Sequence, residues 1–354
     1  MEYFMWHSKE PNHHSYDQRD SKQIIEFGKS RSLIPHNEFE FKYDAPGGCI
    51  WERLHGAYAD STIRAYQSDF NIFSNWCETV NLSAVPTTPD TIAAFISYEM
   101  DNLAPATIRR RIISIGRVHR LSELPDPTNS ETVRLAVRRM HRKKGRRQKQ
   151  AFGLTSDLRD QLIAATSDDL KGCRDRALVS LAYDTLRRRS ELVALRIDDL
   201  EPIPQGGATI LVRRSKTDQE GSGKLAYVSP KTLEYCSEWI EQAKIKDGLI
   251  LRSVSQSGIV RDSLYPGSIS RLFKKLAAHA GLSEDVVKKL SGHSARVGAA
   301  QDMAAAGIDV IAIMQAGGWK SHNIVARYIE NLDVLRGGSF RLANLHQASS
   351  NNQT

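Results

Sequence analysis

The segments Ala208-Thr-Ile-Leu-Val212 and Leu225-Ala-Tyr-Val228, joined by the polar run 215–223, decide how this chain of 354 residues is read. Their alternating pattern predicts two strands of a small antiparallel sheet. The sequence around them has helical spacing. Upstream, Thr155-Ser156-Asp157 offers capping groups for one helix and 174–182 reads as another; downstream, several helices run toward the C-terminus. Helices gathered around one small sheet make this region mainly α with a minor β component, an α+β fold. Such an arrangement excludes a doubly wound nucleotide-binding fold, and no glycine-rich phosphate loop occurs in the chain.

Ahead of it lies a second region with no strand signal. Behind Asp60-Ser61, a possible helix cap, Ile63, Tyr66, Phe70, Phe73 and Trp76 recur at three- and four-residue steps, the stripe of an amphipathic helix. A second helix fits 89–100. A third starts at Pro105 and carries Ile108, Ile112, Ile115 and Val118 on one side, with Arg109, Arg110, Arg111, Arg117 and Arg120 on the other. A shorter helix over 130–140 completes an all-helical domain. An arginine-rich face is ordinarily just solvated; Arg109, Arg110 and Arg117 become candidates for polyanion contact because neighbouring segments repeat the bias. Between Arg138 and Lys149, eight cations occupy twelve positions, Arg142 and Lys143 among them. Such a run repels itself and reads as an extended tether suited to lie along a phosphate backbone. The predicted division is a partly disordered arm over 1–55, a helical domain over 56–141, a basic linker over 142–150, a second domain over 151–335 and a terminal segment over 336–354.

Lys+Arg 49 against Asp+Glu 41 leaves a net charge of +8, which favours a polyanionic partner without requiring one. Cys49, Cys77, Cys173 and Cys236 form no Cys-x-x-Cys pair, so no zinc or redox motif is expected, and reduced thiols in an intracellular, cytoplasmic protein are. No metal site and no cofactor are predicted. No apolar run reaches the ~18 residues of a membrane span, and charges and histidines throughout the first thirty residues do not suit a secretion signal.

Four separated segments carry groups suited to phosphate chemistry. In Tyr183-Asp-Thr-Leu-Arg-Arg-Arg-Ser-Glu191, Arg188 and Glu191 stand three apart, so the carboxylate can orient the guanidinium; Arg187 and Arg189 leave the register open by one residue. Lys216, in Arg213-Arg-Ser-Lys-Thr217, follows a strand and can reach into a cleft or remain an exposed turn lysine. Ser291-Gly-His-Ser-Ala-Arg-Val297 sets His293 and Arg296 three apart at a helix start, a proton-exchanging ring beside a planar fork that matches phosphate oxygens. Gly317-Gly-Trp319 precedes Tyr328 by nine residues. Tyr328 continues the stripe of Ile324, Val325, Ile329 and Leu332, so it is equally a core tyrosine and a candidate nucleophile.

Taken together, the order Arg-x-x-Glu, Lys, His-x-x-Arg, Trp, Tyr, with Ser-Gly-His-Ser-Ala-Arg-Val-Gly-Ala-Ala, Ile-Met-Gln-Ala-Gly-Gly-Trp and Tyr-Ile-x-Asn-Leu-Asp, resembles the tyrosine recombinase (phage integrase) family. The likeness runs from about residue 60 to 345 and is weaker in the first domain. It implies a core-binding helical domain and a catalytic domain forming a C-shaped clamp on duplex DNA, and site-specific recombination at inverted-repeat sites by a homotetramer, through a 3′-phosphotyrosyl intermediate and a Holliday junction, without metal or ATP. In that scheme Tyr328 attacks, Arg188 and Arg296 clamp the phosphate, Lys216 protonates the leaving oxygen, His293 and Trp319 assist, and Glu191 positions its neighbours. The terminal helix, hinged at Gly337-Gly338, is exchanged in trans through Phe340, Leu342 and Leu345. A helix near Pro266-Gly267, with Arg271, Lys274 and Lys275, is the candidate for reading the major groove. Rival readings are a clamp without chemistry, a type IB topoisomerase, and a hydrolase elbow around Ser294, which lacks the second glycine.

Overall fold

The computed structural model describes residues 44–45, 48–145, 150–215, 222–330, 338, 340 and 342–344. The chain divides into two compact units, Met1–Gln148 and Lys149–Thr354.

In the first unit a two-residue hairpin, β1 (Asp44–Ala45) and β2 (Gly48–Cys49), precedes four helices: α1 (Asp60–Thr79), α2 (Pro89–Glu99), α3 (Pro105–Leu121) and α4 (Glu131–Lys144). Their apolar stripes meet in one core. Phe73 and Trp76 of α1 close on Phe95 of α2, with ring centroids 5.1 and 5.2 Å apart, and Ile108, Ile112, Ile115 and Val118 bury the inner side of α3. Capping is local at α2 and α4, where Thr88 and Ser130 accept backbone N–H groups. At α1 it is not: Asp60 lies inside the first turn and Ala59 occupies the cap position. An acidic residue in that turn still favours the positive end of the helix.

The tether expected over 142–150 is corrected in its first part. α4 runs on through Arg138, Arg139, Arg142 and Lys143 to Lys144, with Gly145 at φ +75° after it. Cations in a last helical turn face carbonyls without intrahelical donors, an attraction that offsets their mutual repulsion. Lys143 Nζ also pairs with Asp101 at 2.8 Å, and Lys144 Nζ donates to the Leu103 carbonyl at 2.9 Å.

In the second unit, α5 (Ser156–Ala164) and α6 (Leu170–Thr185) lead to a one-turn helix, α7 (Arg189–Leu192). A three-stranded antiparallel sheet follows, β3 (Leu200–Pro202), β4 (Ala208–Val212) and β5 (Lys224–Val228), in the order β3-β4-β5 with Ile210 opposite Leu200 and Ala226. The chain then forms α8 (Pro230–Gln242), α9 (Ser268–His279), α10 (Glu284–Lys289), α11 (Ser294–Ala305), α12 (Val310–Gly317) and α13 (His322–Ile329). α6 is buried on nearly every side, from Cys173 through Leu181, as a helix at the centre of a domain must be. α5 starts without help from Thr155: the Ser156 N–H donates to Asp302 of α11 at 2.6 Å, and Tyr183 Oη donates to the same carboxylate oxygen at 2.5 Å. One half-buried acid thus joins three helices. The cysteines Cys77, Cys173 and Cys236 are free and buried, and no described helix is long and apolar enough to cross a membrane.

Candidate active site

The sequence signals of the second unit converge where α6, α11, α12 and α13 meet. α6 ends in a turn at Leu186, which is fully buried and left-handed at φ +51°. A non-glycine residue in that conformation is strained unless its surroundings hold it, and here two arginines take the carbonyls of the turn. Arg187 Nε donates to Thr185 O at 2.5 Å, and Arg296 Nη1 donates to Leu186 O. Arg188 follows as the residue capping α7. Its Nη1 meets Glu191 Oε1 at 2.7 Å, and the other carboxylate oxygen accepts the Arg188 N–H at 3.2 Å. Of the three consecutive arginines, Arg188 is the one hydrogen-bonded to Glu191 among the described contacts.

α11 presents the next pair from its first turn. His293 caps the helix and Arg296 lies one turn on, 1% exposed. The guanidinium sits over the Trp319 ring, 4.4 Å from its centroid. Trp319 reaches that place because two glycines precede it. At Gly317 a Cβ would lie 2.2 Å from the indole, and Gly318 takes φ +63° to end α12. Its ring packs edge-on to Tyr328, with centroids 5.4 Å apart.

Tyr328, on α13, closes the pocket. Its hydroxyl lies 2.7 Å from His293 Nε2, and the two rings are 5.6 Å apart. Burial first, then the charges of Arg296 and Arg188, push the imidazole down to about 4, so it is neutral near pH 7 and its Nε2 can accept the phenol proton. Burial and Arg188 also lower Arg296, to about 10. Arg296 keeps its Nε and Nη2 buried with no hydrogen-bond partner among the described residues. Two such buried donors, on a cation with no paired acid among the described residues, are chemically suited to an oxyanion.

The pocket therefore unites Arg188, Glu191, His293, Arg296, Trp319 and Tyr328. Lys216 lies outside the described residues, as do Gly337, Leu345 and Leu332. Of the groups expected on DNA, Arg109 and Arg142 are exposed, and Lys143 is exposed but paired as above. Arg110 is held by Asp69 through Nε at 2.7 Å and Nη2 at 2.8 Å. Arg117 lies over Tyr58 and Tyr66, 5.0 and 6.0 Å from their ring centres. On α9, Arg271 and Lys275 are exposed and Lys274 is half-buried. Phe340 and Leu342 are helical and exposed, at 40% and 55%.

Arg187 was not singled out from the sequence. It is 5% exposed and spans from Thr185 O to Ala316 O, tying the end of α6 to the end of α12. Its partners are main-chain carbonyls, which every residue possesses, so only its place beside Arg188 could have drawn attention to it.

Fold and pocket together define a class, a DNA strand transferase of the tyrosine type. Comparison with known proteins gives the family. Residues 153–334 match the phage integrase family. The chain is 32% identical over 301 residues to an integrase/recombinase xerD homolog of Selenomonas ruminantium, covering 80% of this chain and 85% of that one. It is 31% identical over 303 residues to recombinase cre of Escherichia phage P1, covering 81% and 88%. A lambda integrase tetramer bound to a Holliday junction superposes with a TM-score of 0.57 at 16% identity, over 80% of this chain and 76% of that one. The chain belongs to the phage integrase family and is a tyrosine-type site-specific recombinase.

Proposed function

We propose that the protein cleaves and rejoins duplex DNA at inverted-repeat, lox-like sites, with Tyr328 as nucleophile. The observation that carries this reading is the Tyr328 hydroxyl at 2.7 Å from a neutral His293 Nε2, beside an Arg296 with two unused buried donors. Tyr328 Oη attacks the scissile phosphorus while its proton passes to His293. The bond to the 5′ oxygen breaks, leaving a 3′-phosphotyrosyl ester and a 5′-hydroxyl, and Lys216 supplies the proton to that leaving oxygen. Attack by the 5′-hydroxyl of another strand reverses these steps and releases Tyr328, so the ester energy is conserved and neither ATP nor a metal enters the scheme.

Charge is the main difficulty, because the attacked phosphate concentrates negative charge on its non-bridging oxygens. Arg188, preset by Glu191, and Arg296, preset by Leu186 O and Trp319, meet that charge without reorganising. The C-shaped clamp, the homotetramer and the Holliday junction belong to the same reading. It is supported by the lambda integrase tetramer on such a junction and by Phe340 and Leu342, apolar and exposed as an exchanged segment requires.

The test begins with selecting random-sequence duplexes on the full-length protein to recover its site. A duplex carrying that site, nicked beside the cleavage position, should trap a covalent adduct with the wild type and none with Tyr328→Phe. Equal adduct from both proteins rejects Tyr328 as the nucleophile, and relaxation of plasmids lacking the site would favour a topoisomerase instead.

A further inference from the structure

Tyr328 is held at both ends. Its hydroxyl faces His293, and its main-chain carbonyl accepts two side-chain amides, Gln150 Nε2 at 3.0 Å and Gln301 Nε2 at 3.0 Å. That carbonyl belongs to the last turn of α13, where carbonyls lack intrahelical donors. The two amides come from separate parts of the chain: Gln150 precedes α5, and Gln301 lies on α11, two turns beyond His293.

The packing around Gln301 is specific to this arrangement. Residues 153–154 lie against α11, with the Leu154 N–H donating to Ser294 O at 2.9 Å. A Cβ on Gly298 would stand 1.9 Å from Leu154 O, and one on Gly153 would stand 2.0 Å from Gln301 Oε1. Both glycines keep the segment close enough to flank the Gln301 amide, whose nitrogen faces the carbonyl because a carbonyl can only accept. α11 therefore contributes three groups to one tyrosine: an imidazole to its hydroxyl, a guanidinium to the ring neighbouring it, and an amide to its carbonyl.

We propose that Gln150 and Gln301 are positioning residues for strand cleavage: their amides, converging on the Tyr328 carbonyl, fix the end of α13 and so aim the phenol at the phosphate. This rests on Tyr328 being the nucleophile. α13 is short, eight residues, and a helix of that length is not self-supporting. Misplacement of a reacting atom by about 1 Å can cost about 10²-fold in rate, so a loss of these anchors acts on the chemical step before it acts on the fold.

The experiment uses the full-length protein and the nicked duplex of its selected site, with adduct formation followed in a single turnover at saturating DNA. Gln150→Met and Gln301→Met keep length and volume but remove the donor, whereas Gln301→Glu keeps the shape and turns an acceptor toward the carbonyl. We expect each Met variant to form adduct about ten-fold more slowly and the double variant about 10²-fold more slowly, with Gln301→Glu slower than Gln301→Met. DNA affinity by gel shift and Tm should match the wild type. A double variant that cleaves at the wild-type rate overturns the proposal, as does a loss that follows DNA affinity or Tm in proportion, since that would mark a structural role. Tyr328→Phe separates the two readings. If it still yields adduct, the nucleophile is misassigned; if it does not and the glutamine variants are fully active, the positioning role alone is wrong.

Discussion

Two arginine clusters in this chain, each gathered on buried groups, are built on opposite rules. In the first unit, Asp69 and Glu99, both under 10% exposed, meet Arg110 and Arg111, and Ser114 adds a hydrogen bond to Asp69 at 3.3 Å. Burial raises Glu99, and the Arg111 charge opposes that shift. Each charge there has its counter-charge: even Arg111 Nε, a buried donor with no hydrogen bond among the described residues, stands 3.9 Å from an Asp69 oxygen. In the second unit, Arg296 is more deeply buried than either of those arginines, yet it donates to one carbonyl and stacks on an aromatic ring, with no acid paired to it among the described residues. Within this cluster Arg188 pairs with a carboxylate, Glu191, at 2.7 Å. The first cluster is neutralised within the fold, while the second leaves positive charge unpaired among the described residues, which is what the proposed phosphate clamp needs.

This contrast can be broken by exchanging the expected phenotypes. Arg296→Met should lower the single-turnover cleavage rate by about 10²–10³-fold, while Tm changes little, since removing a buried cation without a paired acid offsets the loss of its hydrogen bond to Leu186 O. A fall in Tm comparable with that of a core deletion would put Arg296 in the structural class. Arg111→Ala should do the reverse and destabilise the first unit by about 3–5 kcal/mol, because it strands Glu99, with little change in adduct yield per folded molecule; denaturant unfolding and active-site titration decide this.

A smaller effect is expected at His293. Its usual value is 6.5 and its folded value about 4, so between these the unfolded chain binds more protons, and stability falls as pH drops through that window. His293→Gln should flatten this part of the stability–pH curve. In Tyr328→Phe protein, NMR titration should find the imidazole near its low value when free and shifted upward with DNA bound, because a phosphate offsets Arg296 and Arg188. An unshifted imidazole would mean that no phosphate enters the pocket. The smallest effect belongs to Lys143, whose replacement by Ala should reduce the salt slope of DNA binding by about 1, uniformly across sequences; an unchanged slope would confine Lys143 to its pairing with Asp101.

The helices of the first unit were legible because their stripes are long: Ile63, Phe70, Phe73 and Trp76 share one face, and all are buried. The end of α4 was not, since self-repelling cations resemble a tether until the helix's own carbonyls are counted. β3 escaped notice because three residues ending in Pro202 cannot display an alternation. At the site, Arg188 with Glu191 and His293 with Arg296 stood out by their three-residue spacing, whereas Trp319 and Tyr328 were singled out through the family resemblance; all six carry side chains of distinctive chemistry. Arg187, Gln150 and Gln301 could not be named, because each acts on a main-chain carbonyl that leaves no mark in the sequence.

The left-handed turn at Leu186 has a consequence for anyone seeking to redesign this enzyme. Glycine there would relax the backbone by about 1–2 kcal/mol, yet it would vacate a buried leucine's volume at a loss of about 2–5 kcal/mol, and β-branched residues fit the torsion worse. Randomised libraries should consequently return leucine at position 186 almost regardless of the DNA sequence selected for, and retargeting will have to proceed through positions that leave this torsion untouched.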